Sequence, residues 1–203
     1  MSPGIQQASL FDDAQSLPEG LTYQTDFLSA AEEQDLLAEI APLPLREAKF
    51  REFFAKRRVA HFHDNRQAPG DEYGGADAVA SGPLPSFLVA LRAKVAARLD
   101  MPAAAFVHAL VSEYRPGTPI GWHRDKPVYG IVVGISLAGV GRMRFRPYAA
   151  QDAKHTRMLD VAPRSLYVMR DAVRWQWQHS MLPTRELRYS ITMRTAAGTE
   201  RPR

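Results

Sequence analysis

The chain has 203 residues, of which 45% are hydrophobic and 24% charged, and this composition suits one globular domain with a sizeable core. The sequence contains no cysteine, so disulfides, thiolate zinc sites and a cysteine nucleophile are excluded. No apolar run approaches the roughly 18 residues that a membrane span needs. The first residues show no secretory signal pattern, and we therefore expect a cytoplasmic protein that does not enter a membrane.

Charge is divided unevenly between the two parts of the chain. Residues 1–114 carry 10 basic and 16 acidic residues, a net charge of −6. Residues 115–203 carry 16 basic and 6 acidic residues, a net charge of +10. A basic region attracts anions, either nucleic acid or small dicarboxylates. Solvated surface arginines are an equally simple explanation.

The start of the sequence predicts a leader and then a helix. Residues 1–20 are polar and predict a flexible leader, so that residues 21–203 form a single domain. Residues 29–40 predict a helix, because Ser29 and Glu32 form a capping box and apolar residues recur on one face.

A strand, a long loop and a second helix are predicted next. The alternating residues RVAHF, 58–62, indicate a strand. Residues 65–83 are rich in Pro, Gly and Asp and predict a long loop, which is a candidate substrate lid. Residues 84–100 predict an amphipathic helix, with Ser86 as its N-cap directly after Pro85.

After Pro102 the pattern changes to short apolar runs separated by Gly and Pro. Two helices followed by many short strands favour an α+β fold, namely a double-stranded β-helix (jelly roll) with two supporting N-terminal helices. A jelly roll uses eight strands, and the sequence offers eight runs: FVHALVSEY, PIGWHRD, GIVVGISLA, GRMRFRPY, RMLDV, RSLYVMRD, VRWQWQHS and LRYSITMRT.

A candidate metal site lies in the polar stretch PIGWHRDKPVYG, residues 119–130, where His123 and Asp125 stand two residues apart. Side chains at i and i+2 of a strand project from one face, about 6–7 Å apart, so both can reach one metal ion. His179, in a downstream strand, is the best third ligand. Two imidazoles and a carboxylate suit a non-haem iron oxygenase, although zinc hydrolases also use three protein ligands.

The last strand, residues 188–194, helps to separate these two interpretations. Alternation places four polar side chains on one face of this strand: Arg188, Ser190, Thr192 and Arg194. A guanidinium pairs with a carboxylate through a bidentate fork, so this face suits a dicarboxylate. A hydrolase has no evident need for such a pair, whereas an enzyme that uses 2-oxoglutarate does.

Taken together, these motifs resemble those of AlkB-type 2-oxoglutarate- and Fe(II)-dependent dioxygenases. The matching features lie between residues 105 and 195: EYRPG at 113–117, H-R-D at 123–125, HSM with His179, and R-Y-S-I-T-M-R at 188–194. The resemblance implies Fe(II), with 2-oxoglutarate and O2 as co-substrates.

The resemblance also implies a role for each matching residue. The iron ligands, which form the catalytic centre, are His123, Asp125 and His179. Arg188 pairs with the distal carboxylate of 2-oxoglutarate, and Tyr114 hydrogen-bonds the same molecule. Ser190 and Arg194 complete the co-substrate site, and Arg194 also helps to orient Asp125.

The sequence departs from the family at three positions. Ser112 and Ser190 stand where the family has asparagine, and both keep a hydroxyl with shorter reach. Pro127 stands where DNA-repair members carry an acidic residue that reads the damaged base. This last departure affects the predicted identity of the substrate but does not affect the predicted metal ligands. On the substrate side, the candidate contacts are Arg58, Phe62 and Tyr73.

Three further histidines receive no metal role. His108 lies in an apolar strand and is interpreted as a core or surface histidine. His61 and His63 form an H-x-H pattern, but a cupin metal site also needs a Glu a few residues on, and the next Glu is Glu72, beyond a Pro-Gly break.

The expected function is therefore oxidative dealkylation, in particular demethylation, of alkylated DNA or RNA bases by a monomeric DNA-repair enzyme. One alternative keeps the chemistry and changes the target to a protein side chain or a small molecule. A third interpretation is a non-catalytic jelly roll that binds nucleic acid through its basic face.

Overall fold

The computed structural model describes residues 17–50, 53–63, 82–150 and 153–198 of the chain. These ranges contain helices α1 (Ala30–Ile40), α2 (Ser86–Arg98) and α3 (Asp171–Trp175), and the 3-10 turns Ala103–Ala105 and Ala153–His155. They also contain twelve strands: β1 (Leu21–Gln24), β2 (Arg46–Phe50), β3 (Phe53–His63), β4 (Gly82–Pro83), β5 (Phe106–Tyr114), β6 (Ile120–His123), β7 (Tyr129–Ala138), β8 (Gly141–Pro147), β9 (Arg157–Val161), β10 (Leu166–Met169), β11 (Trp177–Met181) and β12 (Arg188–Ala196).

The strands form a large and a small sheet that lie face to face. The large sheet has the order β1-β10-β7-β12-β5-β3-β2, with β4 beside β3, and the small sheet has the order β6-β11-β8-β9. Every strand pair is antiparallel except β3 with β4. The predicted α+β jelly roll with two supporting helices is therefore confirmed, as two open sheets rather than a closed barrel.

Two apolar cores hold these layers together. One core packs α1 and α2 against the outer face of the large sheet, through residues such as Leu36, Leu88 and Ile191. The other lies between the two sheets and contains Phe145 and Met181. Both faces of the large sheet are thus covered, so a polar side chain that points between the sheets is buried. No helix among the described residues is long and apolar enough to cross a membrane.

The run VRWQWQHS is a strand only in its second half. Helix α3 occupies the chain up to Trp175, and β11 begins at Trp177. The prediction of a single strand was wrong here because one helical turn buries Val173 between the sheets. The same turn lets Arg174 donate to the carbonyls of Lys126 and Gly130. The other seven predicted strands are present, and the sequence analysis missed β1, β2 and the two-residue β4.

The two predicted helices are present, but only the first begins as expected. The Ser29 hydroxyl accepts from the Glu32 backbone N–H and the Glu32 carboxylate accepts from that of Ser29, which is the predicted capping box. In α2 the N-cap is Pro85, and Ser86 is already helical without a capping bond, so the prediction of Ser86 as the cap was wrong. The Pro85 carbonyl itself accepts the first helical N–H groups.

Two expectations fall largely on residues outside the described ranges. These are the leader at residues 1–20, described only from residue 17, and the candidate lid at 65–83, described only from residue 82. The last residues of the leader already bond to the fold, since the carbonyls of Glu19 and Gly20 accept from the N–H groups of Val173 and Arg170.

Gly134 in β7 lies directly beneath the ring of Tyr167, where a Cβ would come within 2.1 Å of Tyr167 Cζ. We expect Gly134→Ala to destabilise the fold by about 1–3 kcal/mol, because the buried ring would have to move. Urea unfolding measures this change. Gly121→Ala is the matched control, since nothing lies within 4 Å of its added Cβ. Equal unfolding midpoints for the two variants would contradict the prediction.

Candidate active site

Three predicted ligands converge between the sheets because β6 and β11 are neighbours. His123 and His179 are register partners on these strands, and their ring centroids lie 4.3 Å apart. Asp125 follows the end of β6, and its Oδ2 lies 3.5 Å from His179 Nε2. The structure therefore brings together two imidazoles and a carboxylate that are 56 residues apart at most in sequence.

Burial and neighbouring charges set the protonation of these three groups. Burial, followed by the neighbouring His123, lowers the pKa of His179 to about 3, and burial also lowers the pKa of His123. Burial alone would raise the pKa of Asp125, but the Arg194 guanidinium holds it well below its usual value. At neutral pH the site therefore offers two neutral imidazoles and one carboxylate, which is the protonation in which these groups bind metals.

This donor set fits a metal ion, although no three His, Asp or Glu side chains within the described ranges already have the spacing of an assembled metal site. Two donor atoms that each lie about 2.1 Å from one ion can be at most about 4.2 Å apart. The 3.5 Å between Asp125 Oδ2 and His179 Nε2 meets this limit. His123 Nδ1 lies 2.9 Å from the Gly121 carbonyl oxygen, which leaves Nε2 as its metal-facing nitrogen.

Arg194 holds Asp125 through a single oxygen. Its Nε and Nη2 both donate to Asp125 Oδ1, at 2.9 and 2.7 Å. The usual arginine–carboxylate pair is a fork in which each oxygen takes one N–H group. Here the second oxygen, Oδ2, stays directed toward His179. The contact between Arg194 and Asp125 that the resemblance implied is thus present, and it leaves one carboxylate oxygen for another partner.

Arg188 is a fully buried cation, with 0% of its surface exposed. Its Nε donates to Ser136 Oγ at 3.0 Å, its Nη1 lies 3.6 Å from Met181 Sδ, and its Nη2 has no hydrogen-bond partner in the described structure. A Cβ at Gly141 would lie 2.7 Å from Arg188 Nε, so this glycine makes room for the guanidinium. A buried charge without a counter-charge is costly, which points to an anionic ligand.

Tyr114 stacks against this buried cation, with its ring centroid 5.0 Å from Arg188 Cζ. Burial alone would raise the pKa of the phenol, but the guanidinium groups of Arg57 and Arg188 hold it below its usual value. The Tyr114 hydroxyl is also hydrogen-bonded to Ser190 and Arg57. The expected co-substrate residues Tyr114, Arg188 and Ser190 therefore lie together, and Arg57 joins them from β3.

A narrow pocket extends from the converged triad to Tyr114 and Arg57. His123, Asp125, His179, Arg194 and Tyr114 line it, together with Arg57, Thr192 and apolar residues of the inner core. Ser112, which stands in place of an asparagine, lies on β5 with Tyr114. It is buried, and its Oγ has no partner among the described residues. Ser112 Oγ and Arg188 Nη2 are thus two buried groups without a partner near Tyr114, one on its strand and one on its ring.

The predicted substrate contacts on β3 were assigned to the wrong face. Arg58 donates to Glu113 and to the Leu45 carbonyl, and Phe62 packs in the core beneath the helices. Because strand side chains alternate, the neighbours Arg57 and His61 point the other way, between the sheets. Tyr73, the third predicted contact, lies outside the described residues.

The sequence analysis missed Arg57, which lines the pocket, and Arg174, which contacts the loop after Asp125. Arg57 was only one of three consecutive basic residues, and no signal distinguished it. Arg174 is buried and fixes the loop after Asp125 through the carbonyls of Lys126 and Gly130. Because Arg174 was predicted to lie in a strand, these hydrogen bonds to the loop after Asp125 were not predicted.

A family model and one relative match the sequence. The model described as the 2OG-Fe(II) oxygenase superfamily matches residues 20–200. The uncharacterized protein L905 of Acanthamoeba polyphaga mimivirus is 32% identical over 98 residues, which cover 42% of this chain and 46% of that protein. The chain therefore matches slightly less than half of the length of this relative.

Two solved structures are similar in fold. The structure of OsALKBH1 has a TM-score of 0.69 at 14% identity and covers 89% of this chain and 100% of its own. The crystal structure of a Pseudomonas putida prolyl-4-hydroxylase has a TM-score of 0.56 at 18% identity and covers 89% and 95%. These matches confirm the AlkB-like double-stranded β-helix, and the family match supports an enzyme rather than the non-catalytic interpretation. The chain belongs to the 2OG-Fe(II) oxygenase superfamily, a family that uses Fe(II), 2-oxoglutarate and O2.

Proposed function

We propose that this dioxygenase removes alkyl groups from nucleic acid bases, with His123, Asp125 and His179 as the iron ligands. The observation that carries the proposal is the buried cation Arg188, whose Nη2 has no partner among the described residues. It stacks on Tyr114, which lines the same pocket as these three groups. A hydrolase would leave a buried, unsatisfied arginine unexplained. A 2-oxoglutarate enzyme uses it to bind a carboxylate.

Different residues of the chain have different roles in the proposed reaction. Fe(II), with 2-oxoglutarate and O2, supplies the oxidation that converts an N-methyl group to a hydroxymethyl group while succinate and CO2 are formed. Arg188 and Tyr114 bind the distal carboxylate of the co-substrate, and Arg194 fixes Asp125. These groups are buried between the two sheets, where the low polarity strengthens each of these charged contacts. The C–N bond then breaks, the hydroxymethyl group leaves as formaldehyde, and its hydroxyl proton passes to the base nitrogen.

Positive charge on the small sheet supports a nucleic acid as the substrate. Arg124 stacks on Tyr148 at 4.0 Å, and Arg144 and Arg146 stack on Trp122 at 4.8 and 4.1 Å. Guanidinium groups placed on aromatic rings are preorganised donors for phosphates, and exposed rings stack with bases. Side chains alternate along β6, so Trp122 points to the face opposite to His123 and these stacked arginines lie on the outer face of the small sheet.

The test is substrate-dependent succinate formation by the purified protein with Fe(II), ascorbate and 2-oxoglutarate. DNA and RNA oligomers that carry one N-methylated base should stimulate succinate release and lose the methyl group, as measured by mass spectrometry. The same oligomers without the methyl group are the control. Binding to them should weaken steeply with added salt, because phosphate contacts release counterions. Absence of both stimulation and methyl loss with every oligomer would reject a nucleic acid substrate.

A protein side chain or small molecule is the second candidate target. Pro127, in place of an acidic base-reading residue, favours it, and so does the likeness in fold to a prolyl-4-hydroxylase. Proline-containing peptides in the same succinate assay separate the two candidates. Stimulation by peptides but not by methylated oligomers would select this alternative.

A further inference from the structure

A chain of hydrogen bonds extends from Arg194 away from the candidate metal site. His108 on β5 is the register partner of Arg194 on β12, and its Nδ1 lies 3.1 Å from Arg194 Nη1. The other ring nitrogen of His108, Nε2, lies 3.2 Å from Nδ1 of His61 on β3. His108 is almost fully buried, whereas His61 is partly exposed. Four side chains, His61, His108, Arg194 and Asp125, are therefore linked in order.

The chemistry of arginine fixes the direction of every bond in this chain. A guanidinium has only donors, so His108 Nδ1 must accept and carries no hydrogen. In the neutral ring, His108 Nε2 then carries the hydrogen and donates it to His61 Nδ1. Burial lowers the pKa of His108 far below its usual value and lowers that of His61 to about 4, so both rings are neutral at pH 7.

The Nη1 group of Arg194 affects which oxygen of Asp125 remains available to a metal ion. Two N–H groups of Arg194 go to Asp125 Oδ1, and Nη1 goes to His108. Without an acceptor at Nη1, the guanidinium can rotate into the usual fork that takes both carboxylate oxygens. That fork would occupy Oδ2, the oxygen that faces His179.

We propose that His108 is a positioning residue, which acts through Arg194 to keep Asp125 Oδ2 available to the metal ion. The role rests on the proposed iron ligands and goes beyond them, because His108 touches neither the ligands nor the pocket. A merely structural histidine would fill space and stabilise the fold. A positioning histidine also controls metal affinity.

The experiment compares metal binding by three variants with that of the wild-type protein, using Mn(II) as the probe without substrate or 2-oxoglutarate. Free Mn(II) is measured by electron paramagnetic resonance. We expect His108→Leu to weaken Mn(II) binding about 10- to 100-fold, the usual effect of losing a partner that orients a ligand. His108→Asn should keep the affinity close to wild type, because its amide oxygen can take the place of Nδ1. His63→Leu is the control, since its ring lies beside that of His108.

A second readout does not depend on any variant with altered stability. The nitrogen-15 spectrum of the wild-type protein should show His108 as the neutral tautomer with hydrogen on Nε2. His108→Asn assigns the signal by its loss. A hydrogen on Nδ1, or unchanged Mn(II) affinity in a folded His108→Leu protein, would overturn the positioning role and leave the proposed function intact. Absence of Mn(II) binding by the wild-type protein would overturn both.

Discussion

Arg188→Met should reduce the affinity for 2-oxoglutarate by about 30- to 4,000-fold while the protein stays folded. The guanidinium is fully buried, and its Nη2 has no partner among the described residues. Truncating one member of a buried charge pair costs about 2–5 kcal/mol or more, and each 1.4 kcal/mol is a factor of ten in affinity. Calorimetric titration of 2-oxoglutarate into the anaerobic Mn(II)-loaded protein measures the change.

Although Arg188→Met should weaken co-substrate binding, it should leave the stability of the ligand-free protein unchanged or raise it. In the ligand-free protein, Arg188 is a buried cation whose described contacts are a serine hydroxyl, a thioether and an aromatic ring. Replacing an uncompensated buried charge by an apolar side chain of similar length is neutral or stabilising. We therefore expect an unchanged or higher melting temperature together with lost co-substrate binding.

Arg142→Met is the matched control because it removes the same charge from an exposed position. Arg142 forms a surface ion pair with Asp160 at 2.6 Å, and such pairs contribute little to stability. It should bind 2-oxoglutarate as the wild-type protein does. If the Arg188→Met and wild-type proteins bound 2-oxoglutarate equally well, the co-substrate would not contact Arg188. The main argument for a 2-oxoglutarate site in this pocket would then be lost.

The sequence predicted the two halves of the candidate site for local reasons. His123 and Asp125 are close in the chain, so spacing alone places them together. In β12 the polar and apolar residues alternate without exception from Arg188 to Arg194. Because Ile191 fits the helix-side core, the arginines must point between the sheets. The strict alternation in β12 therefore predicted correctly that Arg188 and Arg194 share one face of the strand.

The same reasoning failed on β3, where alternation is ambiguous. The run KRRVAHFH places basic or aromatic side chains at both odd and even positions, so either face can be chosen from the sequence. A shift by one residue exchanges every side chain between the two faces. Arg58 and Phe62 were therefore predicted at the site, although Arg57 is the residue of this strand that lines the pocket.

The contact between His108 on β5 and Arg194 on β12 could not be predicted. His108 and Arg194 are 86 residues apart, and only the neighbouring positions of β5 and β12 in the large sheet bring them together. The sequence order of strands does not state their spatial order in a jelly roll. A buried histidine in an apolar strand therefore gave no sign of its partner.

Loss of one proposed iron ligand should abolish metal binding and turnover together. We expect His179→Ala to weaken Mn(II) binding by more than about 100-fold, because loss of an outer partner alone costs 10- to 100-fold. The variant keeps the contact of Arg194 with Asp125, so the carboxylate stays compensated. His155→Ala, which removes an exposed histidine elsewhere, should bind the metal normally.

Stability provides a readout of this ligand that does not require turnover. A metal ion that binds only the folded state at 100 times its Kd raises the free energy of unfolding by about 2.7 kcal/mol. Mn(II) should therefore raise the urea midpoint of the wild-type and His155→Ala proteins, and a chelator should reverse the rise. The His179→Ala midpoint should not respond. If Mn(II) stabilised His179→Ala as strongly as the wild type, the ion would be held by other residues, and the convergence of His123, Asp125 and His179 would have another cause.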